Sequence, residues 1–194
     1  MPTRRFATPG SNPARSSAST SGGLAGHLAG QIFSVEQTLA HPVTSDAVDG
    51  VLDHYARVPW IGTAPDDEVS VAIRSGGERS AAGGLDLLLD RARVGLTSLR
   101  VMLPTHTLLD VVQPPWTTWA LHLGDFLVTR LMEIAVHSDD LAVSVGVETP
   151  QLPAEVLDPV LGLLTALAVR RHGQANVLRA LSRAERAPVA IIAI

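Results

Sequence analysis

The segment FLVTRLMEIAVHSDDLAV, residues 126–143, constrains this chain more than any other. At about 100° per residue, Leu127, Leu131, Ile134 and Leu141 fall on one face of a helix. Val128, Met132, Val136 and Val143 fall on the opposite face. A helix apolar on two sides belongs in the middle of a bundle. Yet Arg130, Glu133 and His137 form a narrow strip along it at i, i+3 and i+7. Ionised groups are costly to bury unless they are paired or bind a metal.

Glu133 and His137 are one turn apart, so both can reach a single point beside the helix. Glu/His pairs at one-turn spacing build metal sites inside bundles. The sequence has no cysteine, so disulfides, thiolate zinc sites and a protein-borne thiol nucleophile are excluded. Any metal ligand set must therefore use nitrogen and oxygen, which suits zinc, manganese, iron or nickel. The competing reading is structural: Arg130 pairs with Glu133, and His137 is a satisfied core histidine. A third ligand must come from elsewhere. His27 is the leading candidate, set among small residues on the shoulder of an apolar stripe, and His54 is its competitor. His122 lies roughly 16 Å along the helix axis from Glu133, too far to share a metal. His41 and His172 sit at helix ends, where they complement the dipole or face solvent. His106 falls in a Pro-rich loop and could line the mouth of a site.

The rest of the chain reads as helices. Residues 1–21 are rich in Ser, Pro, Arg and Thr, with no apolar run after the early arginines. They are expected to be a disordered tail or to follow from a misplaced start. From Gly22 a helix carries Leu24, Leu28, Val35 and Leu39 on one stripe and stops at His41-Pro42. Four glycines in its first half permit close backbone approach. Thr44 or Ser45 is expected to cap a second helix running to Val58. A third helical region spans 66–102, with its weak point at Ser75-Gly76-Gly77. Residues 104–121 hold three prolines and two tryptophans and are expected to form an ordered connection. The helix containing Glu133 runs to Val145 before Gly146, and another runs from Pro153 to Gly173. A short helix over 175–184 and the apolar tail PVAIIAI, 188–194, complete an all-α domain spanning 22–187.

No run of apolar residues is long enough to span a membrane, and the net charge of −4 with no basic stripe argues against nucleic acid. All 15 basic residues are arginine, which removes lysine-based Schiff-base and P-loop chemistry. The expected compartment is the cytoplasm.

Two blocks carry a resemblance: GGLAGHLAG, with His27-Leu28-Ala29, and TRLMEIAVHSDDLAVSVG, with Arg130, Glu133, His137, Asp140 and Leu141. Together they resemble the mycothiol-dependent maleylpyruvate isomerase N-terminal-domain family, part of the DinB-like metal-binding helical bundles. The resemblance covers roughly residues 22–187. It implies that His27, Glu133 and His137 bind zinc and leave positions open for water or a thiol cosubstrate. The metal would lower the pKa of a mycothiol-type thiol. The ionised thiol would isomerise a small electrophile, or stay attached to it in an S-transfer. Arg130 would assist as a neighbour or anion contact, and Asp140 would orient His137. Trp116 and Trp119 are expected to fill core or loop positions.

Family members carry a further helix, with a Trp-containing entry turn, before the H-L-A segment. Here the Ser/Pro-rich residues stand in its place, so the bundle is expected to lack its first helix. Exposed apolar surface, or pairing into a homodimer, would follow. The isomerase itself has a C-terminal domain contributing to its site, and this sequence ends before one. The expected chemistry is therefore the broader thiol-cosubstrate class. Two alternatives stand beside it: a non-catalytic helical module for binding or dimerisation, and, more weakly, a metal-dependent hydrolase.

Overall fold

A computed structural model describes residues 20–62, 64 and 66–194. The tail expected over 1–21 thus lies outside the described residues as far as residue 19. Seven α-helices account for most of the described chain: α1 (Ser21–Ala40), α2 (Val51–Arg57), α3 (Glu68–Ala81), α4 (Leu85–Met102), α5 (Leu123–Val145), α6 (Ala154–His172) and α7 (Gln174–Ser182). Two antiparallel two-residue strands, β1 (Val111–Val112) and β2 (Leu121–His122), pair Val111 with His122 and Val112 with Leu121. The fold class is all-α, as the helical periodicity leads one to expect. No helix among the described residues is long and apolar enough to cross a membrane.

Local chemistry explains both ends of α1 and the end of α5. The Thr20 hydroxyl accepts the Gly23 N–H at 3.0 Å and starts α1, which stops at His41 ahead of Pro42. Gly146, at φ 74°, closes α5 in the left-handed conformation that a C-cap needs.

Two helix assignments need correction. The second helix begins at Val51 rather than near Thr44 or Ser45. Those two residues are bound elsewhere: the Thr44 N–H and both hydroxyls donate to Gln113 Oε1 at 2.9–3.1 Å. They therefore tie the 42–50 loop to the Pro-rich connection. The region 66–102 is two helices, and its break falls at Gly83-Gly84 rather than at Ser75-Gly76-Gly77. Gly77 stays helical because it is a contact point. A Cβ on Gly26 of α1 would collide with the Gly77 carbonyl, and one on Gly77 with the Gly23 carbonyl. What these glycines cost in helix propensity is offset by the close approach of α1 and α3.

Helix α1 packs against α3, α4 and α5, and α5 also contacts α2 and α6. Two apolar clusters form on α5, one at its first turns and one around its middle. One gathers Val35, Leu99, Val112, Leu121, Leu123 and Phe126. The other gathers Tyr55, Met132, Val160, Leu163 and Leu167, with Ala193 and Ile194 of the C-terminal tail packed against it. His172 does more than complement a dipole, since its Nε2–H donates to the Ile192 carbonyl at 2.8 Å and pins that tail.

Candidate metal centre

Helix α1 presents His27, and α5 presents Glu133 and His137 one turn apart. Glu133 Oε2 lies 3.4 Å from His27 Nε2 and 3.2 Å from His137 Nε2. The two imidazole rings meet edge-on, with centroids 4.4 Å apart at 83°. All three donor atoms lie within 4.8 Å of one another, and among the described residues no other His, Asp or Glu joins them. Their side chains are 22%, 12% and 26% exposed for His27, Glu133 and His137, so the group can be reached from solvent.

The donor set fits a divalent metal. Bonds of about 2.0–2.2 Å in tetrahedral geometry place neighbouring ligand atoms roughly 3.4 Å apart. The separations of Glu133 Oε2 from the two imidazole nitrogens, 3.4 and 3.2 Å, are close to that spacing. His137 Nδ1 lies 2.9 Å from Asp140 Oδ2, so Nδ1 donates its proton there and Nε2 is left facing Glu133. The expected orienting role of Asp140 therefore has its hydrogen bond.

Arg130 does not pair with Glu133. Its Nη1–H donates to Gln31 Oε1 at 2.7 Å and its Nε–H to Thr129 Oγ1 at 3.0 Å, while its guanidinium lies over Phe126. The carboxylate that Arg130 could have taken sits between two imidazoles instead. Gln31 is the residue that sequence reasoning missed. It is buried one turn after His27 and donates its amide N–H to the His27 carbonyl at 3.1 Å. The same amide nitrogen stands 3.2 Å from His27 Nε2, so Gln31 links His27 to Arg130. Its position at i+4 from His27 was the available signal.

The electrostatics follow from these contacts. Burial alone would raise the Glu133 pKa, but hydrogen bonds from His137 and His27 and the Arg130 charge outweigh it and hold the carboxyl down at about 2. Burial also works against a charged His137, yet Glu133 and Asp140 together raise its pKa.

The other histidines lie outside the group. His54 is buried, and its Nδ1 accepts the Trp119 Nε1–H at 3.1 Å. This fixes it as a neutral core imidazole and gives Trp119 a structural role. Trp116 is half exposed, with its ring 6.5 Å from Phe126. His106 bonds Asp110, and His122 bonds the Leu109 carbonyl.

Burial, assisted by the nearby Arg130 charge, lowers the His54 pKa from 6.5 to about 4. The unfolded chain therefore takes up a proton first as pH falls. Stability from this residue is intact above about pH 6.5 and is lost progressively down to about pH 4, by at most roughly 3 kcal/mol. Urea unfolding of the metal-free protein across that window should show the loss, and His54→Gln should flatten it. An unchanged pH slope in the variant would contradict the assignment.

Two surface clefts lie away from the three donors. One, of about 360 Å³, is lined by residues that include Thr38, His41, His106 and Asp110. The other, of about 440 Å³, is lined by Tyr55, Ile61, Leu167 and Arg170 among others. His106 thus borders a cleft, but not one containing the metal-ligand candidates. Compared with protein-family models, curated proteins and solved structures, the chain matches none.

Proposed function

We propose that this chain is a zinc-dependent enzyme with a DinB-like bundle, related to the mycothiol-dependent maleylpyruvate isomerase N-terminal-domain family. It would use a low-molecular-weight, mycothiol-type thiol to isomerise a small electrophile or to transfer sulfur to it. The observation that carries this reading is the convergence of three, and only three, protein donors among the described residues. A tetrahedral ion held by three protein ligands keeps one position for an exogenous group, which is the pattern of catalytic rather than structural zinc. The chain has no cysteine, so the sulfur must come from outside.

When bound, the metal supplies a Lewis acid that favours the ionised form of that thiol at neutral pH. His27, Glu133 and His137 hold the donor geometry, and Asp140 keeps the His137 ring turned inward. Arg130, braced by Gln31 and Thr129, brings a positive charge beside the donors, where it favours an anionic thiol or an anionic group on the electrophile. The ionised thiol would add to a double bond activated by a carbonyl, whose oxygen takes the displaced electron pair. After rotation about the new single bond the pair returns and expels the thiolate, giving the isomer, or the adduct takes a proton from water at carbon and stays as a thioether. A reducing compartment such as the cytoplasm, where free thiols persist, suits this chemistry.

The test is cobalt substitution followed by titration with mycothiol. A sulfur-to-cobalt charge-transfer band that saturates with thiol is the expected result. Cobalt-loaded protein that shows no change at millimolar thiol would overturn the enzyme reading.

A further inference from the structure

Helix α4 carries an apolar seam only half of which is covered among the described residues. Leu85, Leu89, Ala92, Leu96, Leu99 and Leu103 follow one another at alternating steps of four and three residues. That is the a/d spacing of a coiled coil, and it confines them to one stripe of the helix. Leu99 is buried and Leu103 packs against the core that includes Phe126. Leu85, Leu89 and Leu96, however, are 62%, 41% and 43% exposed. On the adjoining side, Leu88 and Gly95 are buried, with Gly95 against Ile32 and Glu36 of α1. The open half of the seam therefore borders the buried face of the helix, where a further helix would complete the packing.

The charges beside the seam identify that helix. Asp86 and Arg93 lie on its solvent flank, one heptad apart. In an antiparallel pairing of α4 with a second copy of itself, a and d positions meet in layers. Leu85 then faces Leu96 of the other copy, and Leu89 faces Ala92. The same register sets Asp86 beside Arg93 of the other copy, twice, through the two-fold axis. Parallel pairing would instead set Arg93 beside Leu88 of the other copy and would form no such charge pair. Arg93 already bonds Asp90 within the helix at 2.9 Å, but both side chains are largely exposed, so that pair is weak and can be exchanged. The surface is self-complementary in its pattern of apolar and charged residues, as an isologous contact requires.

We infer that the chain forms a homodimer through antiparallel pairing of α4 about a two-fold axis, seating Leu85 on Leu96 and Leu89 on Ala92 of the second copy. This contact is independent of the metal centre.

Sedimentation velocity of the full chain at tens of micromolar should give a dimer. Leu89→Asp should weaken it more than tenfold, whereas Val94→Asp should leave it intact, because Val94 is exposed on the opposite face of α4. Since the chain has no cysteine, oxidative cross-linking reports geometry directly. A mixture of Leu85→Cys and Leu96→Cys proteins should form an inter-chain disulfide. Leu85→Cys alone should not, because its two copies would stand roughly 16 Å apart along the axis. Far-UV circular dichroism checks that each variant is folded. A monomeric wild type overturns the inference, as does a folded, still dimeric Leu89→Asp protein. Efficient cross-linking of Leu85→Cys with itself would replace the antiparallel register with a parallel one and overturn it equally.

Discussion

Purified wild-type protein should carry close to one equivalent of zinc, and His137→Ala should carry almost none. Glu133 and His137 sit one turn apart on α5, and His27 closes the group from α1, so the variant leaves only two protein donors. Affinity should fall by more than about a hundredfold, beyond the roughly 10–100-fold that loss of an outer partner costs. Asp140→Asn supplies the graded comparison. It keeps all three ligands but weakens the acceptor for His137 Nδ1, so its loss should fall within that 10–100-fold range. Zinc at about a hundred times its dissociation constant should stabilise the wild type by about 2.7 kcal/mol. For a chain of this size that is a rise in melting temperature of roughly 5–11 °C. The rise should disappear in His137→Ala.

Removing His137 also takes a hydrogen-bond partner from Glu133, whose side chain is mostly buried. The metal-free variant should therefore be less stable than metal-free wild type by about 1–3 kcal/mol. His137→Gln, which retains a donor, separates that effect from metal binding. Elemental analysis and thermal melts with and without a chelator decide the matter. Folded wild-type protein that refuses added zinc would end the metal-centre reading and leave Glu133 as the acceptor of an internal polar network.

Gly26→Ala should be the most damaging methyl that can be added to this protein. The new Cβ would run into the Gly77 carbonyl and approach the Ala81 backbone nitrogen to 3.1 Å. Neither partner is a side chain that can turn aside, so α1 and α3 must separate. Overpacking ordinarily costs about 1–3 kcal/mol, and collision with backbone places this change at or above the top of that range. His27 follows Gly26 immediately and would move with the helix, so zinc affinity should fall as well. Gly30→Ala is the control on the same helix. A Cβ there meets nothing within 4 Å. It should instead stabilise α1 by up to about 1 kcal/mol through helix propensity alone. Chemical denaturation of the two variants side by side measures both. Equal stabilities would show that the α1–α3 contact is not as close as described.

These two glycines mark the boundary between what the sequence determined and what the tertiary structure decided. The ends of α5 at Gly146, of α6 between Pro153 and Gly173, and of α1 at His41-Pro42 were legible in the sequence. Caps and prolines act on the backbone within a few residues of themselves. The pairing of Glu133 with His137 was legible for the same reason, because 3.6 residues per turn place i and i+4 on one side of any helix. The break before α4 and the start of α2 were not. Gly76-Gly77 and Gly83-Gly84 look equally breakable along the chain, but only Gly77 has a neighbouring helix to receive. Thr44 and Ser45 are good caps, yet Gln113, far along the sequence, holds their donors.

Arg130 shows the same limit within the candidate site. Its spacing allowed a pair with Glu133, and the sequence could not exclude it. The approach of α1 brought Gln31 to Arg130 and His27 to Glu133, and so settled both partners at once. Spacing along one helix is a property of that helix and is written in the sequence. Which side chain meets it from across the bundle depends on how α1 is seated, and its close contact with α3 at Gly26 and Gly77 is one part of that seating.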